Sequence, residues 1–279
     1  MISVVIPVRN AMPWLEQQLQ ALVDQEFDQQ WEVVLADNGS TDRSRVAAEA
    51  WSEKHEQIRW IDASAVRGAS AARNAGAKEA LGDLLAFCDA DDVVRPGWLA
   101  GCAKALETAD VVAGIFDFRS LNGLPEAPPA PAVMTQFPFL PAGLGANLAV
   151  RRRAFESVGG FSEALATGED IDLCWRLQIE GYRFATDEGA VVAKRDRTCF
   201  WDVFRQGYAF GRGGVVLYRK HRSAGARRNV AGAASSWLWL LVHLPVLVDA
   251  GGRRNQWARA AGMRAGRLWG SLTGRVFFP

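Results

Sequence analysis

The sequence predicts an α/β fold, a mostly parallel sheet flanked by helices, with a helical, basic and aromatic-rich C-terminal extension. Three observations predict it. Short β-branched runs alternate with segments of helical periodicity through the first 110 residues. Hydrophobic residues make up 49% of the 279, enough for a sizeable core and too many for a disordered chain. The charge is divided: residues 1–199 carry 19 Lys+Arg against 29 Asp+Glu, net −10, and residues 200–279 carry 13 against 2, net +11. A basic tail on an acidic body implies an anionic partner for the tail. A membrane surface fits better than a nucleic acid, because no nucleic-acid recognition motif accompanies the charge.

The elements follow in order. ISVVIPV (2–8) reads as a buried strand. Pro13 to Gln25 places Trp14, Leu15, Leu19, Leu22 and Val23 on one helical face. WEVVLA (31–36) is a second strand, and Thr41 and Asp42 are placed to cap a helix from Arg43 to Trp51. IRWIDA (58–63) is a third strand, Ser70 to Leu81 an alanine-rich helix, and Asp83 to Cys88 a fourth strand. A helix from Pro96 to Glu107 carries proline in its first turn, where the missing N–H is harmless. Strands at 109–119, 145–152 and 190–194 and helices at 153–158 and 169–180 complete the body. Between them, residues 122–142 hold six prolines and no periodicity, which reads as a long functional or mobile loop.

The tail differs in kind. WLWLLVHLPVLV (237–248) is apolar but too short, at twelve residues, to span a bilayer as a straight helix, and Pro245 breaks it. After Asp249, Arg253, Arg254, Arg259, Arg264, Arg267 and Arg275 are interleaved with Trp257, Leu268, Trp269 and Phe277. That mixture suits an anionic headgroup layer; the alternative is a helical pair packed on the body with its arginines in solvent. The four cysteines form no C-x-x-C pair, and Met1 runs at once into a strand. A reducing, cytoplasmic setting is expected, at the inner face of the cell membrane if the tail binds it.

Ligands gather at the carboxyl ends of strands in an open parallel sheet. Three polar clusters fall at such ends: Pro7-Val8-Arg9-Asn10, Asp37-Asn38-Gly39-Ser40-Thr41-Asp42 and Asp89-Ala90-Asp91-Asp92. In extended or turning chain, residues two apart point the same way, so Asp89 and Asp91 can share one divalent cation. Hard oxygen ligands suit Mg²⁺ or Mn²⁺, and a cation held by few carboxylates fills its remaining positions with phosphate oxygens. A metal-bridged diphosphate is the reading. The bland alternative is a solvated acidic turn that caps the Pro96 helix, a role expected of Asp92.

VVIPVRN, ADNGSTD, RGASAARNAG, FCDADD and GANLAVRR…FESVGGFSEALATGEDIDLCWRL, in that order, resemble a family 2 glycosyltransferase of GT-A fold. The likeness covers about residues 2–195. It implies a GT-A domain at 1–199, with a nucleotide-binding part to about 110 and an acceptor part beyond, and an extension at 200–279. It also implies a nucleoside-diphosphate sugar donor, UDP-sugar the expected one, a Mn²⁺ or Mg²⁺ ion, and inverting displacement at the anomeric carbon. Pro7 and Arg9 would line the nucleotide pocket. Asp37 or Asn38 would contact base or ribose; many relatives have two acidic residues there, and the amide leaves the choice of base open. Arg73, with help from Arg67, would reach the nucleotide or its phosphates, and Asp89 and Asp91 would hold the metal. Asp170 would be the catalytic base, with Glu169, Arg205 and Gln206 on the acceptor side, whereas Trp175 and Arg176 read as structural. The alternative for Glu169 and Asp170 is a helix N-terminus favoured by the macrodipole.

Two departures stand out. Many relatives have a histidine after the last strand; here the stretch is AKRDR, where Lys194, Arg195 or Arg197 either neutralises phosphate or is plain surface. The Q-x-x-R-W of processive relatives is absent, FRQGYAFGRGG standing nearest, so single addition to a cell-envelope glycan or lipid-linked acceptor is expected. The rival functions are a sugar nucleotidyltransferase, disfavoured by the lack of a glycine- and lysine-rich N-terminal phosphate loop, and a non-catalytic nucleotide-sugar-binding module, disfavoured by the intact aspartates.

Overall fold

The computed structural model describes residues 1–131, 138–248 and 253–279. Part of the proline-rich stretch, 132–137, and residues 249–252 lie outside them. The chain forms two compact units: most of residues 1–196 build the first, and Ala164–Gly168 with Arg197–Pro279 belong to the second.

The first unit begins with the predicted alternation: β1 (Ile2–Val8), α1 (Leu15–Val23), β2 (Trp31–Asp37), α2 (Ser44–Lys54), β3 (Ile58–Asp62), α3 (Ala69–Glu79) and β4 (Leu84–Cys88). It continues through β5 (Val93–Val94), α4 (Trp98–Thr108), β6 (Val111–Asp117), β7 (Ala130–Pro131), β8 (Asn147–Arg151), α5 (Arg152–Ser157), α6 (Glu169–Ile179) and β9 (Phe184–Ala193). The sheet order is β3-β2-β1-β4-β8-β6-β9-β5, with β7 on β6. Strands β3, β2, β1 and β4 run parallel. Strand β8 is antiparallel to both its neighbours, β4 and β6, and β6 and β9 are again parallel. Valine, isoleucine and leucine fill the central strands because helices cover both faces, which leaves no solvated side to alternate toward. The register sets Val8 opposite Asp37 and Asp37 opposite Asp62, so the ends of β1, β2 and β3 share one edge.

Strands β5 and β7 fall outside the sequence reading, and β9 is longer than expected. Strand β5 is two residues long, and β9 starts six residues before the apolar run at 190. Its early part, FATDEG, lacks apolar patterning, yet it pairs along β6 through a bulge at Gly114/Ile115.

The second unit holds α7 (Phe200–His221), α8 (Val230–Val242) and α9 (Arg253–Thr273). Helices α7 and α9 meet at glycines. A Cβ at Gly207 would strike the Arg259 carbonyl, one at Gly211 the Met263 carbonyl, and one at Gly262 or Gly266 the carbonyls of Phe204 or Tyr208. The side-chain-free stripe is therefore what lets the two backbones touch. Of the six arginines after Asp249, Arg253, Arg254 and Arg275 are exposed and Arg259 is half-buried. Arg264 and Arg267, expected in solvent or at headgroups, are instead buried at 6% and 7% exposure. Ser271 and Arg267 bond the chain's last residues back onto α9, and Phe278 stacks on Tyr218. Among the described residues no helix is long and apolar enough to cross a membrane.

Candidate functional site

The parallel strand ends carry the candidate residues, and side-chain bonds lock their loops together. Arg9, exposed, and Asn10 follow β1. The Asn10 backbone N–H donates to Ser40 Oγ, and its Oδ1 accepts from the Thr41 N–H at 2.7 Å. Asp42 accepts from the Ser44 N–H at the start of α2 and from Met12, whereas Thr41 serves Asn10 rather than capping that helix. Asp37 is buried and closes the turn by accepting from Ser40 Oγ at 2.5 Å. Gly39, at φ +76°, supplies the left-handed residue of this turn and leaves room for the Arg67 guanidinium against its backbone.

Asn38 departs from the expected role. Its amide donates to the carbonyls of Ala63 and Val66, and its Oδ1 accepts from the Gly68 N–H at 2.8 Å. Both amide hydrogens are spent holding the loop before α3, so no donor remains for a base. The structure makes Asn38 a scaffold residue.

Arg73 organises the centre. Helix α3 carries it inward to 5% exposure. One amino group donates to Asp89 Oδ1 at 2.7 Å and the other to Glu169 Oε1 at 2.9 Å. The D-x-D loop and the acidic dyad thus meet at one guanidinium, whose two-pronged geometry suits paired carboxylates. Gly145 packs against its flat face, where a Cβ would come 3.2 Å from Cζ, and the Phe161 ring lies 5.5 Å away. Asp170 accepts from the Gly145 N–H at 2.9 Å through Oδ2 and from the Ile171 N–H through Oδ1. Burial, with Asp170 beside it, pushes the Glu169 carboxyl up to about 7 against the pull of Arg73.

Asp89, Asp91 and Asp92 each offer a carboxylate oxygen within 4.8 Å of the others. Such a donor set suits a hard divalent cation. Asp91 is exposed and Asp89 half-buried, so both carboxylates reach solvent. Asp92 is fully buried, and its expected capping role is overturned: the N-cap of α4 is Gly97, and no side chain caps the helix. Asp92 instead accepts from Lys194 Nζ at 2.6 Å and from the Arg195 backbone N–H at 2.9 Å. Lys194 also reaches Asp89 Oδ2 at 3.2 Å. Burial works against ionisation of Asp89, but Lys194 and Arg73 together hold its carboxyl at about 2.

The AKRDR stretch is therefore built into the centre. Lys194 sits among the aspartates, and Arg195 lies 3.7 Å over the Trp14 ring while donating to Gln17 and to the Asp91 carbonyl. Sequence reasoning missed Gln18. Fully buried on α1, it donates to the Asp89 carbonyl and accepts from the Val94 N–H, shaping the D-x-D turn from beneath. Its polarity within an otherwise apolar helix face was the available signal. Trp175 is buried, and Arg176 pairs with Asp172 while bonding the carbonyls of Val158 and Gly160, the structural roles expected of them. Arg205, paired loosely with Asp202, and Gln206 lie on α7 of the second unit. A cleft of about 600 Å³ lined by Arg95, Asp117, Arg119 and Pro128 includes none of the carboxylates of the centre.

Comparison with known proteins bears directly on this arrangement. The family model described as glycosyl transferase family 2 matches residues 3–158, more than half of the chain.

The chain belongs to glycosyl transferase family 2.

A second model, glycosyl transferase family group 2, matches residues 132–262. Among family relatives, the pre-mycofactocin glycosyltransferase of Mycobacterium tuberculosis is 28% identical over 261 residues, covering 87% of this chain and 53% of its own length. The chain thus spans about half of that relative. The glycosyltransferase AglE of Haloferax volcanii is 28% identical over 251 residues, covering 86% of this chain and 80% of its own. The fold is that of solved GT-A glycosyltransferases. The mannosyltransferase PcManGT from Pyrobaculum calidifontis, in complex with GDP-Man and Mn²⁺, superposes with a TM-score of 0.64 at 20% identity, covering 96% of this chain and 87% of its own. Residues 1–349 of S. aureus TarS, in complex with UDP-GlcNAc, give 0.58 at 17% identity over 100% and 93%. These likenesses place the first-unit strands of this family 2 member in the GT-A architecture expected of them.

Proposed function

We propose that this chain is an inverting glycosyltransferase. It moves one sugar per encounter from a nucleoside-diphosphate sugar, a UDP-sugar first, to a hydroxyl of a cell-envelope glycan or lipid-linked acceptor. The observation that carries the reading is the Arg73 bridge, which joins Asp89 to Glu169 and so sets Asp170 beside the D-x-D loop. Family membership and solved relatives with GDP-mannose, UDP-GlcNAc and Mn²⁺ support it. The region to about residue 110 is the nucleotide-binding part, with Pro7, Arg9, Asp37 and Arg67 along the strand ends. The part from 111 to 199 supplies the acceptor side.

Asp89 and Asp91 are the residues that would hold Mn²⁺ or Mg²⁺, which when bound stabilises the charge developing on the departing diphosphate. Arg73, always protonated and already oriented, adds fixed positive charge at the same place. Asp170 is the general base. An acceptor hydroxyl is a weak nucleophile unless its proton leaves as it attacks, and a carboxylate oxygen held by the Gly145 and Ile171 N–H groups is positioned to take that proton. A single attack from the face opposite the leaving group inverts the anomeric carbon. Glu169, kept against Arg73, orients the guanidinium on the acceptor side.

The second unit supports association with an anionic membrane. Helix α8 and the turn after it expose Trp237, Leu238, Leu241, Val242 and Leu244, and Arg253 and Arg254 are exposed at the start of α9. The acceptor would then be met at the inner face of the membrane. Incubation with a panel of nucleotide sugars, with Mn²⁺ and with chelator, tests the activity. Metal-dependent release of nucleoside diphosphate is expected for one donor. Silence across the panel means a binding module instead, and pyrophosphate release from a nucleoside triphosphate and sugar phosphate means a nucleotidyltransferase.

A further inference from the structure

Lys194 follows the last residue of β9, and β9 lies antiparallel to β5 with Ala193 opposite Val93. That pairing delivers the lysine to the D-x-D turn, because β5 begins directly after Asp92. Its ammonium donates to Asp92 Oδ2 at 2.6 Å and to Asp89 Oδ2 at 3.2 Å, with Arg73 on Asp89 Oδ1. Both oxygens of Asp89 therefore already face a cation of the protein itself. Asp92 is buried and also tied to the Arg195 N–H, so it anchors the lysine rather than presenting a ligand outward. Asp91, exposed, carries no such ion pair among the described residues. A divalent ion binding to Asp89 and Asp91 must share a carboxylate with an ammonium of like charge, which disfavours it. A diphosphate arriving with the ion removes the conflict, because an ammonium with three donors, two of them spent, can turn one toward phosphate oxygen.

We propose that Lys194 is a built-in counter-ion of Asp89 that weakens binding of a divalent cation alone and transfers its contact to the donor's diphosphate, so that cation and nucleotide bind with positive coupling. The proposal rests on the reading of Asp89 and Asp91 as the cation site. Coupling of this kind is reciprocal: the cation tightens the nucleotide by the same factor as the nucleotide tightens the cation.

The test is a titration of Mn²⁺, read as loss of the free-ion paramagnetic resonance signal, with and without UDP or GDP. Wild type, Lys194→Met and Asp91→Asn are compared. Because Lys194→Met leaves Asp92 buried without its partner, the double variant Asp92→Asn/Lys194→Met, which removes both charges, is included and checked for native thermal unfolding. Either lysine variant is expected to bind Mn²⁺ alone roughly tenfold tighter than wild type, while the factor by which nucleotide tightens Mn²⁺ falls by a similar amount. Asp91→Asn is expected to abolish the binding in every background. If the lysine variants bind Mn²⁺ no more tightly than wild type while Asp91→Asn abolishes binding, the cation site stands and the counter-ion role is overturned. Mn²⁺ binding that Asp91→Asn leaves unchanged overturns the site reading and the proposal together.

Discussion

Replacing Arg73 by methionine keeps the stem's volume and removes the guanidinium. At 5% exposure this group compensates two carboxylates, Asp89 at 2.7 Å and Glu169 at 2.9 Å. Removing one partner of a buried ion pair costs about 3–5 kcal/mol, because the other charge stays behind. The two carboxylates do not share that loss equally. Asp89 keeps Lys194, whereas Glu169 has no other ion-pair partner among the described residues and already sits at about 7. At pH 6 it already holds a proton and loses only a hydrogen-bond partner with Arg73, whereas at pH 8.5 it is a carboxylate left buried without its counter-ion. The loss should therefore lie near 3 kcal/mol at pH 6 and near 5 kcal/mol at pH 8.5, about 6–20 °C in Tm for a unit of this size. Arg73→Lys, which keeps the charge but has no second prong to reach both carboxylates at once, should fall between. The assay is urea unfolding of wild type and both variants at the two pH values. Stability within 1 kcal/mol of wild type for Arg73→Met, or a loss that shrinks as pH rises, refutes the view that this guanidinium holds the centre together.

Further outcomes follow from the same contacts. Asn38→Asp replaces the amide nitrogen that donates to the carbonyls of Ala63 and Val66 by an acceptor oxygen, and should destabilise by about 2 kcal/mol or more in urea unfolding. Folding raises the Glu169 pKa from its ordinary 4.5 to about 7, so the folded chain keeps a proton that the unfolded chain releases. Its contribution is full below pH 4.5, declines toward pH 7 and is flat above. Wild-type stability relative to Glu169→Gln should accordingly fall by an amount on the order of 2–3 kcal/mol over that window, seen as a growing Tm difference. Leu238 and Leu241 are 63% and 64% exposed, so changing both to glutamate should leave unfolding unaltered yet abolish co-sedimentation with anionic vesicles; retained binding would remove α8 from the membrane reading.

The parallel half of the sheet was readable because its strands are short, β-branched and bounded by turn residues, as in ISVVIPV and WEVVLAD. The antiparallel half was less so. Strands β5 and β7 are two residues long, and the start of β9 is polar, so their pairing is dictated by neighbours across the sheet rather than by any local pattern. At the site, Asp89 and Asp91 could be named because an acidic pair at a strand end is conspicuous, and Arg73, Glu169 and Asp170 because the ordered motifs around them resemble those of family 2 glycosyltransferases. Their partners could not. Arg73 meets Glu169 across 96 residues and Lys194 meets Asp92 across 102, separations at which no local spacing carries a signal. The same limit explains the two reassignments. Asn38 and Asp92 look like ligands or caps in a linear reading, and only the fold shows the carbonyls and the ammonium that claim them. Arg264 and Arg267 follow suit: a run of interleaved arginines suggested a solvated or lipid-facing stripe, and the glycine contact of α7 with α9 draws these two inside.

Asp170→Asn bears most directly on the claim that a donor held at the aspartate pair faces a proton acceptor on α6. An asparagine keeps an oxygen for the Gly145 N–H but cannot take a proton. Donor titration of the variant should give wild-type affinity, and release of nucleoside diphosphate in the presence of acceptor should fall by about 10²–10⁴-fold. Turnover at the wild-type rate, or loss of donor binding by a correctly folded variant, contradicts the assignment.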